Sequence, residues 1–204
     1  MLGGERKIKT PSGMKSLAGG SGGISVEEHD NSISVDSEMP TNKVAIVARI
    51  PRRADLDLST VNDGEIIVRD VSGTLQLENV NGPITATNIA GSIIAESVNE
   101  KIDAAFSSLG KEGATSLSTL NGDITVSLPA NAAVDLRIDS ARGEIESAFD
   151  LDVKPTKPTV ERKEGRRGVS VRVEDAIVAS INGGGPVIKL KTLNGNIRIG
   201  KTGQ

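Results

Sequence analysis

Cysteine, tryptophan and tyrosine are absent from this chain, and only two of its 204 residues are aromatic, Phe106 and Phe149. Without cysteine there is no disulfide and no thiolate metal site. With so few aromatics the core must be aliphatic, and no platform exists for stacked bases. The net charge is −3 with both signs interspersed, so the basic, aromatic-laced face of a nucleic-acid binder is missing as well. The single histidine, His29, falls in a predicted turn, where a general base would lack the positioned partner it needs. Long apolar runs are also wanting. The longest, Val44 to Ile50, is interrupted by Arg49 and is far too short to span a bilayer. The start of the sequence carries no hydrophobic signal core.

What the chain has in quantity is glycine, 23 residues, and the spacing is regular. Gly64, Gly73, Gly82 and Gly91 stand nine apart, and Glu100 takes the next place. Aligned on that period, the third place reads Ile66, Leu75, Ile84, Ile93, Ile102 and the fifth Val68, Leu77, Ala86, Ala95, Ala104. Places two apart lie on one side of an extended strand, and the residues between them are mostly polar. Each unit is therefore a strand with one dry face. The eighth place, Val71, Val80, Ile89 and Val98, is expected to turn a third apolar side chain inward. A helix is excluded by the spacing and by glycines that would each cost about 1 kcal/mol. One nine-residue unit cannot bury its apolar face, but stacked units can, which predicts an all-β, single-stranded parallel β-solenoid.

The ninth place alternates asparagine with a small residue, implying a super-period of eighteen and two strands per rung. The asparagines then stack in one column, where their amides can hydrogen-bond. The same register sets Glu78 beside Glu96, a like-charge contact that counts against it. The residues expected to build the turns are Asn62, Gly64, Gly73, Asn81, Gly82, Gly91, Asn99, Asn121, Gly122, Gly143, Asn194 and Gly195.

Along the chain, residues 1–23 read as a disordered tail, rich in Gly, Ser and Lys. Residues 24–54 read as an antiparallel cap. Ile24 to Val26 and Ile33 to Val35 flank a turn at Asp30-Asn31-Ser32, and Val44 to Ile50 forms a third strand. Residues 55–149 carry the repeats, with longer turns at 109–113 and 129–132. Residues 150–168, charged and containing prolines, form an excursion, an irregular hairpin or a loop. Residues 169–200 supply the final strands and rungs, and little sequence remains after Gly200 to cover the last of them.

Chemistry finds little to work with. Asp63 with Glu65, or Asp123 with Glu144, are the carboxyl pairs whose separation suits glycoside hydrolysis, but scattered surface acids are expected among 27. Asn62-Asp63-Gly64 and Asn121-Gly122-Asp123 lack the serial glycine–aspartate pattern of calcium-binding β-rolls, and turn-stabilising roles explain them. Gly183-Gly184-Gly185 has no following Lys-Ser/Thr and reads as a tight turn rather than a phosphate cradle. No catalytic, metal or cofactor residue is assigned.

The phrases LENVNGPITATNIAGSI, LSTLNGDITVSLP and INGGGPVIKLKTLNGNIRI resemble the bacterial adhesin-like β-strand repeat family, a domain of unknown function labelled DUF4097. The resemblance covers roughly residues 33–200, and its hallmark is a recurring V/L-N-G followed by D/N/P-I. It implies a β-solenoid of the bacterial cell envelope: a non-enzymatic structural or interaction domain with an unknown protein or glycan partner at the cell surface. The alternatives are a cytoplasmic self-assembling scaffold that associates end to end, and a β-helix enzyme acting on surface glycans.

Overall fold

The computed structural model describes residues 24–29, 32–37, 45–62, 64–110, 113–155, 159–165, 168–174 and 176–203. The expected tail at 1–23 lies outside them. The chain divides into two compact units, 1–48 and 49–204. In the first, β1 (Ile24–His29) and β2 (Ser32–Ser37) form an antiparallel hairpin in the expected place, with His29 at the end of a strand, opposite Ser32. The third strand expected at Val44 to Ile50 is not there. Residues 45–50 form no strand and have no strand partner among the described residues, and Ile46 and Val47 are exposed.

The second unit is built on one thirteen-stranded sheet that is mostly parallel. Its strands begin with β3 (Leu56–Thr60), β4 (Ile66–Arg69), β5 (Ser72–Asn79), β6 (Ile84–Ser97) and β7 (Ile102–Leu109). They continue with β8 (Thr115–Thr119), β9 (Ile124–Leu128), β10 (Val134–Ser140), β11 (Ile145–Ser147) and β12 (Asp152–Lys154). The excursion holds β13 (Thr159–Gly165) and β14 (Gly168–Glu174). These two pair only with each other, so the 169–173 stretch does not join the repeat. Last come β15 (Ile177–Ile181), β16 (Val187–Thr192) and β17 (Ile197–Lys201).

The register follows the period of eighteen. Leu75 lies opposite Ile93, Ile66 opposite Ile84, and Ile84 opposite Ile102. Each eighteen residues therefore make one tier of two strands, one in each of two ladders. One ladder runs β3, β5, second half of β6, β8, β16, β10. The other runs β4, first half of β6, β7, β9, β17, β11. β6 serves both because it bends at Asn88, which is left-handed (φ 57°) like Asp70 (φ 59°) one tier before. Inward residues of both ladders, including Leu75, Ile93, Leu117, Ile124, Leu190 and Ile197, are buried in one aliphatic core with Phe106.

Two features depart from the expected order. First, the tiers do not stack in chain order. The β16–β17 tier lies between β8–β9 and β10–β11, parallel to both. The expected bare rung after Gly200 is thus interior, and the tier at that end is β10–β11. The insertion is favourable because 120–124 (LNGDI) and 193–197 (LNGNI) present the same side chains at four of five places and so continue each other's contacts. The β10–β11 unit breaks the pattern with Arg142. Second, the sheet is not wholly parallel. β15 runs antiparallel against β10, and β12 antiparallel against β15, so one ladder is covered beyond its last tier.

Candidate functional site

The nine-residue glycines resolve into two columns on alternate turns. Gly64, Gly82, Gly122, Gly195 and Gly143 share one, with Glu100 in the remaining tier. A Cβ on Gly82, Gly122, Gly195 or Gly143 would be driven into the backbone carbonyl of the residue one tier away. Gly73 and Gly91 belong to the opposite turn, where the same conflict involves the carbonyls of Ala54 and Gly73.

Beside the first column runs a continuous chain of asparagine amides. Asn194 Nδ2 donates to Asn121 Oδ1 at 2.8 Å, Asn121 to Asn99 at 3.0 Å, Asn99 to Asn81 at 2.7 Å, and Asn81 to the Val61 carbonyl at 3.1 Å. Asn62 takes no part in this run among the described residues, and Asn81 donates to the carbonyl of Val61 instead. Asn121→Ala removes one donor and one acceptor from the middle of the run. An expected loss of about 0.5–1.5 kcal/mol in denaturant unfolding checks its worth, small because the amides are exposed.

The eighth place does not behave uniformly. Val71 and Ile89, at the left-handed corners, are buried as expected. At the asparagine turn the same place points out or lies at the surface: Val61 is 56% exposed, Val98 37%, Leu120 43% and Leu193 43%, and Val80 is half-buried. The turn inverts the direction of the side chain before the asparagine, so an apolar column lies on the surface along the amide column. One residue earlier, the polar side chains of Asn79, Ser97, Thr119 and Thr192 are buried. Thr119 Oγ1 donates to the Glu100 carbonyl at 3.1 Å, Thr192 Oγ1 to that of Gly122 at 3.0 Å, and Asn79 Nδ2 to that of Gly64 at 2.7 Å. These inner hydrogen bonds satisfy the carbonyls that the glycines crowd. Two buried oxygens of the row have no hydrogen-bond partner among the described residues, Ser97 Oγ and Asn79 Oδ1. Ser97→Thr, copying Thr119 in the next tier and Thr192 in the one after it, is expected to stabilise by about 0.5–1.5 kcal/mol, read as a raised denaturant midpoint with unchanged slope.

Of the two carboxyl pairs, Asp123 with Glu144 alone falls within the described residues. Asp63 lies outside the described residues. Asp123 and Glu144 are held apart by the tier between them. Asp123 accepts from the Asn196 backbone N–H at 2.8 Å, and Asn196 accepts in turn from that of Glu144 at 2.9 Å. Arg198 bridges Asp123 (3.3 Å) and Glu146 (2.9 Å), an exposed network in which Glu146 chiefly holds the guanidinium's pKa up. Among the described residues no group of three His, Asp or Glu is placed to hold a metal ion. Residues 182–185 form a turn with Asn182, Gly183 and Gly184 at positive φ, tied down where Asn182 Nδ2 donates to the carbonyls of Ala130 and Ala132.

Asp135, given no role by the sequence pattern, joins three strands. Its Oδ1 accepts from Ser180 Oγ of β15 at 2.6 Å and from Lys154 Nζ of β12 at 3.5 Å. The Ser180 hydroxyl, with Lys154 and the Gly185 backbone N–H, holds its carboxyl below the usual range. A depressed folded-state pKa gives stability that is present above the unfolded value of about 4 and is lost as pH falls through the folded one. Ser180→Ala is therefore expected to lower stability at pH 6 and to shrink the loss between pH 5 and pH 3 relative to the parent. Thermal melts across that range measure both.

No family model, no curated protein and no solved structure matches this chain.

Proposed function

We propose that the two ladders are faces of a parallel β-solenoid with two strands per rung, and that the protein is a non-enzymatic interaction domain of the bacterial cell envelope, as its resemblance to the adhesin-like repeat family implies. The observation that carries this reading is the asparagine–glycine turn. The tiers at Asn99, Asn121 and Asn194 each add an exposed amide and, beside it, an exposed Val or Leu, which supports a rigid, repeated interaction surface. Aliphatic contacts flanked by amides suit a protein partner. Carbohydrate recognition leans on aromatic faces, and both Phe106 and Phe149 are buried.

The test is binding of the purified chain to envelope preparations, some treated with protease and others with periodate. Protease is expected to abolish binding, and the pair Leu120→Asp and Leu193→Asp to weaken it at least tenfold. Loss on periodate treatment alone points to a glycan. Absence of binding to every preparation overturns the reading.

A self-assembling scaffold is the second reading. What favours it is the β3–β4 edge, whose outer side has no strand partner among the described residues. Sedimentation showing a strict monomer at high concentration removes it.

A further inference from the structure

The β16–β17 tier is held by strands that come earlier in the chain on both sides. Lys191 lies opposite Ser118 in one direction and opposite Asp139 in the other. Its inward side chains, Ile188, Leu190, Ile197 and Ile199, are fully buried. Before residues 187–201 are in place, β8–β9 and β10–β11 must therefore face each other across a gap one tier high. That gap is lined with aliphatic side chains and bounded by two unpaired parallel edges. Two connections border it. Residues 129–133 lead from β9 past the gap to β10, and residues 182–186 lead from β15 over the end of β10 to β16. The second crossing spans two strand spacings, about 10 Å, in five residues. It is clamped to the first through Asn182 and the Ala130 and Ala132 carbonyls, and Asp135 N–H donates to the Pro186 carbonyl at 3.1 Å.

We propose that this gap is an interaction surface for a second copy of the chain, whose residues 187–201 occupy it in place of the chain's own, reciprocally in a dimer. Every contact that holds the tier is available from either source, because the inserted unit makes the same backbone ladders and the same Asn121–Asn194 amide bond whichever chain supplies it. What favours its own chain is the tether and the closed crossing at 182–186. A short tether sets an effective concentration on the order of mM, so exchange rises in proportion to protein concentration up to that level. The crossing at 182–186 is the hinge. Its three left-handed residues and Pro186 fix the closed form and must change for the tier to leave. The proposal does not depend on the envelope role given above.

The absence of cysteine makes the test direct. In the full chain, Ser118→Cys together with Lys191→Cys is expected to close an intrachain disulfide, since the two residues are register partners on one face. Failure to close it overturns the intercalated placement and the proposal with it. Two single variants, Ser118→Cys and Lys191→Cys, are then unfolded in denaturant, mixed and refolded at a series of concentrations before oxidation. The expected product is a chain-to-chain link between positions 118 and 191, located by mass spectrometry, falling about tenfold with each tenfold dilution. The collision control pairs Lys191→Cys with Glu78→Cys, which lies on the same outer row two tiers from Ser118. A 118–191 link no more abundant than the 78–191 link at every concentration overturns the exchange, whatever the behaviour of the envelope-binding assay.

Discussion

Ala95→Asp is expected to cost at least about 4 kcal/mol, while Glu96→Lys, the next residue along, is expected to be neutral or to stabilise slightly. Ala95 lies on the inward face of β6, fully buried between Leu77 and Leu117, with aliphatic side chains around it. A carboxyl there has no donor to accept from and must either stay ionised in an apolar stack or take up a proton against its solution preference. Glu96 points the other way and is exposed, directly opposite Glu78. Lysine in its place converts a cross-strand like-charge pair into an opposite one, worth about 0.2–1 kcal/mol. Thermal unfolding separates the two. The aspartate variant should melt some 8–16 °C lower for a chain of this size, and the lysine variant at or above the parent. Equal costs would mean that the faces of β6 are wrongly assigned.

That contrast was legible in the sequence, because a stacked repeat forces each place to meet its own copy one tier on. The period of nine gave the strands, and the asparagines of the ninth place gave the eighteen. Glu78 beside Glu96 had counted against that register, yet it is the pairing present. An exposed like-charge contact costs a fraction of a kcal/mol, which several amide bonds and a core in register outweigh.

The order of the tiers was not legible. The 115–128 and 187–201 units carry nearly the same pattern, so either fits beside the other. Which neighbours they acquire depends on the edges left free by the 129–133 and 182–186 crossings, where local pattern is silent. The antiparallel β15 and β12 escaped for the same reason: their place is fixed by contacts with β10 rather than by periodicity. The eighth place departs from expectation for a different cause. Where it precedes a small residue, as in Val71-Ser72 and Ile89-Ala90, the chain turns a left-handed corner and the side chain is buried. Where it precedes asparagine, the side chain is exposed in Val98, Leu120 and Leu193 and half-buried in Val80, and the residue before it goes in. Thr119 and Thr192 stand one residue upstream of an L-N-G phrase, and Ser97 holds the same place before Val98-Asn99-Glu100.

Gly195→Ala carries the second large effect, an expected loss of about 2–4 kcal/mol. Gly195 sits inside the stack between Gly122 and Gly143. A Cβ on it would be forced against the Gly122 carbonyl oxygen, and a Cβ on Gly143 would in turn meet the Gly195 carbonyl. Backbone on a turn tied by Thr192 and by the Asn121–Asn194 amide bond has little room to retreat. Separating the two tiers would lengthen the buried Thr192–Gly122 hydrogen bond as well. Glu100 holds the same place in another tier, so a turn can be built around a side chain. The expected cost is that of forcing one into a turn built without it. Gly200→Ala is the control: the nearest atom to its Cβ is Ser127 Oγ at 3.5 Å, an ordinary contact, and its backbone needs no special angle. It should change stability by no more than about 0.5 kcal/mol, through the unfolded chain if at all. Denaturant melts of the two variants decide the point. If they lose stability equally, close approach of the backbones is not what reserves the column for glycine.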